Sequence, residues 1–513
     1  MLGSQIDSIR KTLFLEIFGG KGSDYFWESR FLPRWLPLLL GLILGIATAA
    51  LINEQAWQYL IPLVLLVPAA ILFNRYPFIA IILWLLFTQF FIEPGSPSGR
   101  FIFWILHRAI IPLALVIVLV SSGLRASRKK MTQLGHADLA VFTFLLITFI
   151  NLLILNPDVN QGLIKLYDLI FVPLCMYWLV RLIAPNEVDL KRLVPVILVL
   201  VLSQSIIGLM QWFIPASLPP QWIGTEGART TGTTGNPAVY TTILLFGSLI
   251  MFQYAMQTQS RWIRNLLMPI IGLALACVFF SFSRGSWLGG LFVIVGLLFV
   301  YPVVVFRSTI IFFIIMVILS SSILAAQMSH AIERLNTERT ANDRIVQNYA
   351  TFQMIATKPF FGWGWGNYDR YDRQFHNRVS DNIANISKDQ SSHNTYLSMI
   401  AELGMLTFAI YYLPLLWWFW YSLKIWHRLP REGFWARQLL AMFWLLMIHI
   451  AVVSSFIDMV RFNLYGTTIY WLVLGLIGTM VQKYLKADEV GMPKWAVASQ
   501  AKPRLNATTL PKT

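Results

Sequence analysis

Apolar residues do not alternate with polar ones along this chain. They run in blocks of roughly twenty, the length a helix needs to cross the hydrocarbon layer of a bilayer. Fourteen such blocks lie near 35–52, 57–73, 76–92, 101–121, 139–155, 163–182, 193–213, 239–255, 265–283, 286–306, 309–327, 396–422, 438–457 and 464–482. The second and third are short and separated only by Asn74 and Arg75, so the pattern predicts twelve to fourteen helices. The expected fold is an all-α polytopic membrane protein. Composition agrees: of 513 residues, 57% are hydrophobic and 12% charged, against about 25% charged in a soluble domain. A soluble enzyme, a disordered chain and a nucleic-acid-binding fold are excluded.

The net charge of +16 reads as topology rather than as an anionic partner. With a cytoplasmic N-terminus, 26 of the 40 Lys and Arg fall on the cytoplasmic side and 12 on the other; 8 of those 12 sit in one long loop that the positive-inside rule does not count. Both termini are therefore expected in the cytoplasm. Residues 1–34 carry Ile6, Ile9, Leu13, Phe14 and Ile17 at helical spacing, which fits a helix on the inner surface or a frayed leader. The remaining divisions are a bundle over 35–327, a long outer loop over 328–395, further spans over 396–485 and a polar, disordered tail over 486–513. Cys175 and Cys277 fall inside spans and are not placed for a disulfide.

The loop over 328–395 is too long to be a plain connection. Ile345, Tyr349, Phe352 and Ile355 repeat at a helical period, with Asn342 as a cap and Pro359 as the stop. Pro359–Gly366 (PFFGWGWG) follows. Trp363 and Trp365 are expected at the lipid interface, with sugar stacking as the alternative. The ionisable residues at the spans fall toward the outer side. Arg108 lies two turns into its span, Lys165 and Asp168 share a face, Arg284 ends a span, and Glu402 lies two turns into the next. Such groups are costly in lipid and mark a cavity or pathway. The inner half of the spans offers almost none.

Three patches carry chemistry: Ala228–Pro237 (ARTTGTTGNP), Ser281–Trp287 (SFSRGSW) and Ser391–Tyr396 (SSHNTY). Two arginines and a histidine at one membrane face suit a lipid-linked diphosphate, because guanidinium pairs bidentately with phosphate oxygens and stays charged. Ser391 or Ser392 is expected to cap a helix, placing His393 in its first turn, where the dipole keeps the imidazole neutral and able to accept a proton. Each residue alone also fits an interfacial or hydrogen-bonded loop position. The combination carries the reading. No histidine pair has metal-ligand spacing, and His107 and His449 are expected to pack inside spans.

Residues 225–415 resemble the O-antigen ligase family, which includes O-antigen ligases and related polysaccharide polymerases. The resemblance rests on Arg229 with Gly235-Asn236-Pro237, on Ser283-Arg284-Gly285, on Arg344 leading into Pro359–Gly366, and on His393-Asn394 followed by Glu402-Leu403-Gly404. After Asn236-Pro237 the chain reads Ala-Val-Tyr where many relatives carry a second Asn. The resemblance implies a GT-C-like, multi-pass protein of the bacterial inner membrane. It implies transfer of a glycan from undecaprenyl diphosphate to a lipid A core sugar or another glycan, with inversion and without metal or cofactor. Membrane lipids are the other partners. Arg229 and Arg284 would hold the diphosphate and His393 would be the base, with Arg344, Asn394 and Glu402 in support. A polymerase of the same family is the alternative, and a small-anion transporter of the bicarbonate type is the alternative of another class.

Overall fold

The computed structural model describes residues 60–88, 97–123, 132–223, 229–320, 339–376 and 392–489, with 325, 329 and 332 singly. The N-terminal surface helix, the 35–52 span, the Arg125–Lys130 loop and Ser391 lie outside the described residues. In chain order the main helices are α1 Leu60–Arg75, α2 Phe78–Phe87, α3 Gly99–Ser122, α4 His136–Leu155, α5 Val159–Ile183, α6 Glu187–Phe213 and α7 Pro237–Gln257. They continue as α8 Arg261–Phe280, α9 Arg284–Val300, α10 Pro302–Ser320, α11 Arg339–Thr357, α12 Thr395–Ile425, α13 Arg437–Ser454 and α14 Leu464–Glu489. No strand occurs among the described residues. Nine of their helices are long and apolar enough to cross a membrane, or ten if the bent pair α1–α2 forms one span. The chain is an all-α polytopic membrane protein.

The helices form because each block is apolar on every side, which is stable only inside a bundle or in lipid. α7 and α14 make the centre and are buried at nearly every position. The outward faces of the others stay apolar: Ile154, Trp262, Phe299 and Trp420 are each more than two-thirds exposed. A soluble protein does not tolerate that belt, and lipid covers it.

Several boundaries differ from the sequence reading. The 286–306 block is broken: α9 stops at Val300 and α10 starts at Pro302, because proline cannot donate to the preceding turn but fits the first helical position. The 76–92 block begins after Pro77, and the α1 segment Pro68–Arg75 meets α2 at a bend of 118°. α14 runs through Glu489, into the segment read as tail. Arg181 and Asp138, near the opposite ends of α5 and α4, form a fully buried ion pair (Nε–Oδ1 2.9 Å), also bonded by Tyr177 and Gln482. A buried charge pair that the sequence reading passed over thus sits at the end of the spans that it took as the inner one. Its two charges neutralise each other.

Connectivity decides which segments share an end. α4, α8 and α13 finish at the end where α5, α7, α9, α12 and α14 begin. All three patches lie at that end.

Candidate functional site

At the first patch the backbone is held from below. Gln211 on α6 accepts from Thr231 N (2.8 Å) and Gly232 N (3.1 Å), and Gln204 accepts from Thr233 N (3.0 Å). Gly232 and Gly235 adopt φ of 53° and 67°, values that side-chain-bearing residues avoid. Asn236 then caps α7, accepting from Ala238 N (3.0 Å) and Val239 N (3.2 Å). Its side-chain oxygen is committed to the backbone. Asn236→Ala should therefore cost about 1 kcal/mol of stability and leave turnover per folded molecule near wild type; a turnover loss beyond the loss of folded protein would assign it to substrate instead.

The second patch is a hinge between α8 and α9. Ser283 caps α9, accepting from Ser286 N (3.4 Å), so Arg284 is the first residue of α9 rather than the last of the preceding span. Phe282 reaches φ 47° while buried among Trp212, Phe279 and Trp287. A left-handed non-glycine residue costs about 1–2 kcal/mol, and packing holds it there. The turn aims the Phe282 carbonyl at Arg229, whose Nη2 donates to it at 3.5 Å. Thr230 N donates to Phe280 O (3.2 Å), so the first two patches are joined at the backbone.

The third patch differs from expectation. The cap of α12 is Asn394, which accepts from Tyr396 N (3.0 Å) and Leu397 N (3.1 Å), while Ser392 accepts from Asn394 N (3.2 Å). His393 therefore precedes the cap, half-buried, and is not in the first turn. Asparagine wins because its carbonyl reaches two backbone donors at once. Thr395, two residues on, donates to Ile457 O and accepts from Met459 N, both at 2.8 Å.

That contact identifies a segment the sequence reading missed, the turn between α13 and α14. Phe456 packs so closely on Gly285 that a Cβ there would lie 2.9 Å from its ring. The Arg344 guanidinium carbon sits 5.6 Å from the same ring's centroid. Arg229, Arg284, Arg344 and His393 thus belong to segments linked around residues 456–459.

Beneath that turn lies a charge cluster. Arg461 Nη2 meets Asp369 Oδ2 at 2.8 Å, its Nη1 meets Asp458 Oδ2 at 3.3 Å, and its Nε meets Glu402 Oε1 at 3.5 Å. Glu402 Oε1 also accepts from Tyr368 N (2.8 Å), and Arg461 stacks 4.5 Å from the Tyr368 ring centroid. Burial pushes the Asp458 carboxyl up to about 6, with Arg461 pulling against it. Burial alone would lower the Arg461 guanidinium, but Glu402, Asp458 and Asp369 overcome this and raise it. Burial also pushes the Tyr368 hydroxyl up to about 12, so it stays protonated where it meets Thr351.

Glu402 thus ties the long loop to α12, and the glycine-rich stretch completes the joint. α12 breaks at Gly404, φ 79° and ψ 166°. Met405 N turns from the helix to Pro359 O (2.8 Å), and the freed carbonyls of Ala401 and Glu402 accept from Trp363 N and Gly364 N, both at 2.9 Å. Asn151 and Asn156 on the α4 side bond the same stretch: Asn151 to Phe361 O (2.7 Å) and Trp365 N (2.9 Å), Asn156 to Trp365 O (2.7 Å). Trp365 does not take the lipid-interface position expected of it. Trp365 is buried, and Trp363 packs on Tyr371 and Phe375 under Lys358. Backbone hydrogen bonds to Asn151 and Asn156 draw Trp365 inward. A Cβ on Gly404 would fall 2.0 Å from Phe360 O, so Gly404→Ala should lower thermal stability in detergent by at least the ~1–2 kcal/mol of its φ. An unchanged melting temperature would show that the joint relaxes freely.

Other expected positions resolve differently. Asn342 lies inside α11, which starts at Arg339, and is not its cap. Arg108 and Asp168 form an ion pair (2.7 Å) between two π-helical turns, Ile105–Ala109 and Tyr167–Phe171. Tyr167 donates to the Arg108 carbonyl that such a bulge leaves short of a partner (3.1 Å). Lys165 reaches Gly366 O at 3.5 Å. His107 and His449 are buried in the bundle, as expected. No group of three metal-ligating side chains occurs among the described residues.

Residues 269–412 match the O-antigen ligase family. The matched segment covers less than a third of the chain. It runs from α8 into α12 and contains Arg284, Arg344, His393, Asn394 and Glu402, while Arg229 lies before it. No curated protein matches the chain. The family match, on a bundle of this kind, supports a glycosyltransferase-type role in O-antigen synthesis for this multi-pass membrane protein.

Proposed function

We propose that the protein is a membrane glycosyltransferase that moves a glycan from undecaprenyl diphosphate to an acceptor hydroxyl at the periplasmic face. The observation that carries this reading is the convergence of the Arg229, Arg284, Arg344 and His393 segments on the 456–459 turn at one end of the bundle. The excess of Lys and Arg in the short loops of the other end supports an orientation with this end outside the cytoplasm and both termini inside.

The acceptor oxygen attacks the anomeric carbon while the bond from that carbon to the diphosphate oxygen breaks on the opposite face, giving inversion. His393 takes the acceptor's proton, and the leaving diphosphate carries away the electron pair. Its growing negative charge is met by Arg229 and Arg284. Fixed donors aimed at such charge typically supply about 3–4 kcal/mol each, which lets two guanidinium groups do the work of a cation. Arg344, Asn394 and Glu402 act in support: Asn394 fixes the end of α12 beside His393, and Glu402 holds the loop that brings Arg344 in.

The acceptor decides between ligase and polymerase. The test is purified protein in lipid with an undecaprenyl-diphosphate-linked glycan and a lipid A core acceptor. Capped lipid A with release of undecaprenyl diphosphate supports the ligase. Longer donor-linked chains instead mean the polymerase, and no transfer to either acceptor refutes the reading. Anion flux independent of donor lipid would support a transporter.

A further inference from the structure

We infer that α11 and the Phe360-Phe361 step lie in the membrane, as a lipid-contacting surface that holds the long loop at headgroup level. This needs only that the chain spans a membrane, and it stands whatever the reaction is.

α11 has two faces. Val346 is buried, and Ala350, Met354 and Ile355 are buried and pack with Tyr368, Phe375 and Ala401, with Leu397 and Ile400 alongside. The opposite face is apolar too. Ile345, Tyr349 and Phe352, spaced four and three residues apart, make one stripe. It runs toward Phe360 and Phe361, and all five side chains are between 44% and 67% exposed. Of the four residues whose period predicted this helix, only Ile355 faces the protein. A helix apolar on both sides has a second apolar neighbour.

Depth says what that neighbour is. α11 packs on residues 397–401 of α12, which lie within about 9 Å of the start of that span at 1.5 Å per residue. Phe360 meets the break at Gly404, about 13 Å in by the same measure. Its neighbours on α12, Met405 and Leu406, are half exposed, and on α4 Ile150, Leu153 and Ile154 are exposed beside the Asn151 that bonds Phe361 O. The exposed phenylalanines therefore continue the lipid-facing surface of two membrane-crossing helices. Water is not available at that level, and an acyl-chain layer is the occupant with matching chemistry.

The test uses the full-length chain in nanodiscs of phosphatidylethanolamine and phosphatidylglycerol. Cysteine is placed singly at 349, 352 or 361 (Tyr349→Cys, Phe352→Cys, Phe361→Cys) and, as an exposed polar control, at 374 (Gln374→Cys). Each is spin-labelled; Cys175 and Cys277 are buried, and unmutated protein gives their background. Labels at 349, 352 and 361 should collide with oxygen several-fold more than with a water-soluble nickel chelate, and the label at 374 should show the reverse. Labels at 352 and 361 that behave like the one at 374 would overturn the inference. So would dipolar broadening at 352 that disappears on dilution with unlabelled protein, since the stripe would then face a second copy of the chain.

Discussion

Arg284→Ala should lower the turnover of glycan transfer by roughly 10²–10³, the equivalent of one preorganised donor lost from the leaving diphosphate. The side chain starts α9 from a hinge in which Phe282 is held left-handed and Ser283 caps the helix. The cap and the left-handed residue both precede Arg284 in the chain, and normalising turnover to folded protein separates a loss of chemistry from any loss of the hinge. Arg284→Lys keeps the charge but loses the planar fork, so its turnover should fall between alanine and wild type. His393→Ala should cost about 10²–10⁴ and abolish the acidic limb of the pH–rate profile that a histidine base produces. Both are measured as release of undecaprenyl diphosphate under saturating donor and acceptor, normalised to folded protein. Wild-type turnover in Arg284→Ala and His393→Ala would remove the two residues from the reaction and leave the site unassigned.

The second large effect lies away from the proposed chemistry. Arg461→Met should destabilise the protein by about 3–5 kcal/mol, because Glu402 and Asp458, both fully buried, would lose their counter-charge and have to stay charged in a dry site or take up protons, either at a cost. The exposed partner Asp369 contributes little to this figure. Converting the two buried acids as well (Glu402→Gln with Asp458→Asn) should restore much of the loss, since neutral amides carry no unpaired charge. Thermal unfolding in detergent reads both. A single variant as stable as wild type would mean that water reaches the cluster, and an unrestored triple variant would mean that Arg461 matters through its packing on Tyr368. Turnover should fall with the single variant too, since the cluster joins the Tyr368 loop, α12 and the turn that carries Phe456.

Much of the site was readable along the chain because its chemistry uses rare letters in an apolar background. Arg229, Arg284, Arg344 and His393 stand out where charge is costly, and their short motifs carry the family resemblance. Arg461 and Asp458 were as visible as letters and were passed over. A charged residue in a short connection ordinarily faces water, and only burial against α12 and the Tyr368 loop gives these two their role. Trp365 shows the opposite error. Its type and its place in a glycine-rich loop predict an interfacial anchor, but Asn151 and Asn156 hold the backbone on both sides of it and draw the ring inside. The cap of α12 was misplaced by two or three residues, since Ser391, Ser392 and Asn394 all offer capping side chains and only the geometry selects Asn394.

Sequence alone determined that this chain lives in a membrane, that its fold is all-α, and which side chains are chemically out of place there. Those properties are set by local composition against the thickness of a bilayer, and no distant contact can reverse them. Tertiary structure decided which of those side chains meet. It joined the Ser281–Trp287 and Ser391–Tyr396 patches, more than 100 residues apart, through Phe456 and Thr395, and it opened α12 at Gly404 so that a loop could dock into the break. A helix gives up its own hydrogen bonds only when another segment supplies replacements, and that exchange depends on approach in space rather than on order along the chain.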